Sequence, residues 1–122
     1  MILFIQALFI LLAYDVMSAL CHFKTLYAMV KAWKVTGKAG SNTVDRVCTA
    51  VNYACAWYPK QALCLQRSFA TTYLLRKNGV SAHMVLGAQK LPFKAHAWVE
   101  VEGRAINERS NVQVTYAVWD RY

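Results

Sequence analysis

The chain has 122 residues, enough for one domain with a single hydrophobic core and too few for two. Hydrophobic residues make up 57% and charged residues 16%, an apolar excess that leaves surface to face a partner or a bilayer. Lys and Arg outnumber Asp and Glu 14 to 6, giving a net charge of +8; that balance suits acidic peptide or anionic lipid, and no nucleic acid is expected, because no recognised module is present and the aromatic residues do not interleave with the basic ones.

Residues 1–23, MILFIQALFILLAYDVMSALCHF, carry one formal charge, Asp15. The apolar run from Met1 to Tyr14, broken only by Gln6, is short for a membrane span and predicts a packed or surface-lying helix. Lys24, Lys31, Lys34 and Lys38 follow at steps of seven, three and four, opposite Leu26, Met29, Val30 and Trp33, so a second helix with a basic face is expected. TGKAGSN, residues 36–42, reads as a loop, and a third helix runs from Asn42 or Thr43 to Pro59. Its Cys48 and Cys55, seven residues apart, share a face with Val51 and Ala54 and read as packed thiols.

A fourth helix starts near Cys64 and stops at Asn78 and Gly79, a left-handed cap pair preceded by Arg76 and Lys77. The apolar period then changes to two. One strand runs from Val80 to Ala88, with Val80, Ala82, Met84 and Leu86 alternating against Ser81, His83, Val85 and Gly87, and a second runs from Phe93, with Ala95, Ala97, Val99 and Val101 alternating against His96, Trp98 and Glu100. Gly103 turns that strand back on itself, and a last strand begins at Val112. Helices followed by antiparallel strands give an α+β fold with the fourth helix laid on the sheet. A single domain, residues 1–122, is expected, with residues 1–40 a hydrophobic and basic helical front end and residues 41–122 the core.

Four cysteines without C-x-x-C spacing, and histidines with no ligand pair beyond adjacent Cys21 and His22, predict neither metal nor cofactor. No secretory signal with a basic head precedes them, so a cytoplasmic setting is expected. Cys64 alone lies in the first turn of a helix, where unpaired N–H groups and the dipole favour a thiolate nucleophile. A base is then needed, and His83 and His96 both qualify by residue type.

CLQRSFATTYLLRKNG, then VLGAQ, then FKAHAWVEVEGRAINE resembles the transglutaminase-like cysteine peptidases of lasso-peptide biosynthesis, the leader-removing B proteins, over roughly residues 45–118. The resemblance implies a transglutaminase-like, papain-like core with Cys64 as nucleophile and His96 as base. The third member is an aspartate in that family; here the choice lies between Glu108 and Asn107. A hairpin loop of Val101, Glu102 and Gly103 sets His96 opposite Glu108, whereas a loop of Glu102 and Gly103 sets it opposite Arg109 and puts Asn107 on the histidine's face. The three-residue loop is preferred because it sets Glu100 across from Arg104, which makes Glu108 the orienting carboxylate. Gln61 is a candidate oxyanion donor, Arg67 could steer an acidic substrate residue, and Trp98 could shield His96 or floor a peptide groove.

The same resemblance implies a leader peptidase of the split type, without its own precursor-recognition domain. Its expected partners are the precursor leader peptide, a separate leader-recognition protein and a macrolactam synthetase, with a membrane surface as a further candidate. Two alternatives stand beside it: a non-catalytic, membrane-associated scaffold of the same fold, and a transglutaminase-like amide transferase.

Overall fold

A computed structural model describes residues 2–59, 63–89, 94–107 and 116–122. Helices α1 (Ile2–Leu20), α2 (Phe23–Ala32), α3 (Thr43–Trp57) and α4 (Cys64–Lys77) precede strands β1 (Ala82–Gln89), β2 (Lys94–Val101), β3 (Arg104–Ile106) and β4 (Ala117–Arg121). Among the described residues the strands form one antiparallel sheet in the order β3-β2-β1-β4. The expected α+β layout is therefore present.

α4 is the element around which the rest is packed. Ala70, Leu74 and Leu75 meet Val47, Val51 and Ala54 of α3, Ala7 and Leu11 of α1, and Ala82 and Val99 of the sheet in one buried cluster. Its terminus at Asn78 and Gly79 is the one the sequence predicts: Gly79 has φ +88, its N–H donates to Arg76 O, and the Val80 N–H donates to Leu75 O. That is a Schellman arrangement, and it requires the left-handed residue that glycine supplies.

α1 has the length and hydropathy of a membrane-crossing helix. One of its faces, Ala7, Leu11 and Tyr14, is nonetheless packed into the core. Two polar contacts hold it there: Gln66 Nε2 donates to Leu11 O at 2.8 Å, and the Tyr58 hydroxyl donates to the Asp15 carboxylate. The lone charge of the apolar segment is thus an internal acceptor.

α2 ends at Ala32, earlier than the lysine spacing implies. Lys34 and Lys38 consequently lie beyond the helix, and the expected four-lysine face is broken. The physical reason is tertiary: Trp33 leaves the helix to pack edge-on against Phe69 and Tyr73 of α4. Lys31 is also engaged, 3.5 Å from the Asp120 carboxylate and over the Tyr122 ring.

Arg76, which the sequence suggests is a favourable charge at a helix end, is buried. Its guanidinium donates to the carbonyls of Ala82 (2.9 Å), Tyr122 (2.8 Å) and Val30, so it ties α4 to α2, β1 and the segment after β4. Burial lowers its pKa from the usual arginine value. Replacing Arg76 with Met strands these carbonyls without donors and is expected to cost about 3 kcal/mol or more of stability, read as a lower urea midpoint with an unchanged slope.

Candidate active site

Cys64 is the first residue of α4, after Leu63 in extended conformation. The first helical hydrogen bond runs from Arg67 N to Leu63 O at 2.9 Å. The N–H groups of the first turn precede any intrahelical acceptor and point toward the half-buried thiol end of the helix. Tyr14 of α1 stands nearby, its phenol pushed up to about 12 by burial first and then by Tyr27, Asp15 and Cys64. Tyr58 is likewise pushed up to about 12, by burial and by the Asp15 carboxylate it hydrogen-bonds. The Asp15, Tyr58 and Gln66 group beside the start of α4 is polar structure that sequence periodicity missed; its only signal was a single aspartate in an apolar run.

All four cysteines are free thiols, and their surroundings differ. Burial raises Cys48 to about 11, with Asp45 adding to the shift and Arg67 opposing it; burial raises Cys55 as well. Cys21 is exposed, just past the end of α1. Arg67 thus lies near the α3 thiols, and it also lines a small hollow with Ser68, Thr71, Val99, Ile106 and Asn107.

β2 carries the histidine. His96 pairs with Gly87, Trp98 with Val85 and Glu100 with His83, so these residues share one side of the sheet. The imidazole lies against the rings of Trp98 and Tyr116, with centroids 6.0 and 5.5 Å away. Trp98 is buried, and its indole covers Gly87 so closely that a Cβ there would come within 2.7 Å of it. Glu100 is buried too: Oε2 accepts from Trp98 Nε1 and Oε1 accepts from Arg121 Nε, both at 3.0 Å. The opposite residues, Val99 and Val101 with Ala82, pack against α4.

Strand alternation therefore places His96 on the side of β2 away from the helix that carries Cys64. The two do share an end of the sheet lengthwise, since β1 runs back along α4 and Gly87 pairs with His96. The structure brings His96, Trp98 and Glu100 together on one face of β2 and carries Cys64 and Arg67 on α4, which covers the other face.

The hairpin differs from expectation. Val101 pairs with Arg104, Glu100 with Ala105 and Val99 with Ile106, which leaves a two-residue loop of Glu102 (φ 53) and Gly103 (φ 75). Two successive left-handed residues make a type I′ turn, the one whose twist suits adjacent strands. The cross-strand pairing of Glu100 with Arg104 fails because the Glu100 carboxylate is held by Trp98 and Arg121. Nor does Asn107 reach His96. It takes φ 58, and its amide exchanges two 2.9 Å hydrogen bonds with Asn52 of α3. Glu108 and Gln61 lie outside the described residues.

A hollow of about 960 Å³ between α1 and α3 is lined by residues such as Phe4, Lys38, Arg46 and Tyr53 and by none of the sequence-predicted site residues. Among the described residues no three of His, Cys, Asp and Glu gather as metal ligands would.

Residues 10–119 match the family model described as the transglutaminase-like superfamily. Over 50 residues the chain is 40% identical to the microcin J25-processing protein McjB of Escherichia coli, a stretch that covers 41% of this chain and 24% of that protein. No solved structure matches.

A thiol raised to about 11 is roughly one part in a thousand thiolate at pH 8, and that fraction grows about tenfold per pH unit. Iodoacetamide should accordingly label Cys48 slowly at pH 8 and about a hundredfold faster at pH 10, as followed by peptide mass spectrometry.

Proposed function

We propose a function from one established premise: this chain belongs to the transglutaminase-like superfamily. Within it, the chain acts as a cysteine peptidase that removes the leader from a lasso-peptide precursor. The position of Cys64 as the first residue of α4 carries this reading, and the 40% identity to the E. coli processing protein supports the substrate class.

In the proposed reaction the Cys64 thiolate attacks the scissile carbonyl, and the Cys64 N–H at the helix start binds the oxyanion. The imidazolium of His96 protonates the leaving amine, and water then hydrolyses the thioester. Glu108 orients the imidazole, in the position the family gives to aspartate. Gln61 contributes a side-chain donor, Trp98 shields the imidazole and Arg67 draws an acidic substrate residue.

Catalysis by this pair carries a geometric requirement. The imidazole must pass to the α4 side of β2, and a one-residue bulge before Trp98 would do so without disturbing Trp98 or Glu100. Precursor, leader-recognition protein and macrolactam synthetase are the proposed partners, and their binding supplies the occasion for that change.

His96 on the far face also favours a second reading, a non-catalytic scaffold of the same fold. Incubation with precursor and both partner proteins separates the two. The peptidase releases free leader, Cys64→Ala and His96→Ala each slow release by at least about a thousandfold, and Cys48→Ala leaves it within about twofold. Absence of release from the unaltered chain with all partners present would establish the scaffold instead.

A further inference from the structure

The packed face of α1 leaves its other face bare. Ile2, Ile5, Phe9, Leu12, Val16 and Leu20 are exposed, with Phe9 at 67% and Leu12 at 53%, and Phe23, the first residue of α2, is exposed as well. No residue of this stripe is polar. Within α1, Ile2, Phe9 and Val16 recur every seven residues, and Ile5, Leu12 and Ala19 recur every seven between them, an a/d-type spacing along its 19 residues.

The spacing suits another α-helix. A 3.5-residue repeat keeps a seam in register with another α-helix, with knobs from each helix entering holes in the other. An interfacial lipid-binding helix has instead a strongly charged, basic opposite face. α1 contains no Lys or Arg, and its opposite face is buried against α3 and α4.

Area and charge point to the occupant. The seven large side chains present on the order of 700 Å² of apolar surface, above the largest patch of an ordinary monomer and close to the roughly 800 Å² per partner of a standard interface. α1 carries one formal charge, Asp15, which is turned inward to the Tyr58 hydroxyl, so the exposed stripe itself brings no charge to a second copy. We propose that α1 forms a two-fold, coiled-coil-like interface with α1 of a second copy of this chain. This inference is independent of the peptidase reading.

The test is the molar mass of the full chain by light scattering and sedimentation at tens of micromolar, with and without Phe9→Glu and Leu12→Glu together. The unaltered chain should show twice 13.8 kDa and the double variant one chain mass, with the same far-ultraviolet circular dichroism. Trp57→Ser, which removes an equally exposed apolar residue away from the seam, should leave the dimer intact. A single-chain mass for the unaltered protein would overturn the proposal. So would a monomer that floats with vesicles of phosphatidylcholine and phosphatidylglycerol only when the stripe is intact, since that would make lipid the occupant.

Discussion

The arrangement of the site depends on β2 being buried from both sides. Ala97, Trp98, Val99 and Glu100 are four consecutive buried residues, and a strand can bury consecutive side chains only when each face has its own cover. α4 covers Val99 and Val101. On the other face, Tyr116 and Ala105 pack with Trp98 and Val85, while Arg121 reaches Glu100. A one-residue change of register would exchange these environments and bury the Glu100 carboxylate in the aliphatic cluster under α4, a costly move for an unpaired charge. The face occupied by His96 follows from that constraint and not from its own packing.

The helical layer is pinned in the same way, by a few polar groups placed where hydrophobic packing alone would permit sliding. Asp15 and Leu11 of α1 accept from Tyr58 and Gln66, which flank the start of α4 on either side in the chain. Arg76 does the same work at the other end of α4, collecting carbonyls from three separate segments. With both ends of α4 fixed, the position of Cys64 relative to the sheet is set by the core and does not rely on a side-chain cap.

Much of this was legible in the sequence, because it rests on local rules. The change of period from helix to strand, the cap at Asn78 and Gly79, and the start of α4 at Cys64 each depend on neighbouring residues. The errors came where distant residues intervene. The lysine stripe ends early because Trp33 packs on Phe69 and Tyr73, about forty positions away in the chain. Pairing Glu100 with Arg104 favours the three-residue hairpin loop, but the partners that claim Glu100 include Arg121, which no local pattern announces. The face of His96 was illegible for a related reason: both alternating sets of β2 contain apolar residues, so periodicity alone does not say which set α4 covers.

In the free chain the Cys64 helix and the His96 imidazole lie on opposite sides of β2. Nuclear Overhauser contacts of the His96 ring in the free chain test it directly. The structure predicts contacts to the Trp98 and Tyr116 rings and none to the Cys64 β-protons. Contacts between the His96 ring and the Cys64 β-protons in the free chain would contradict it.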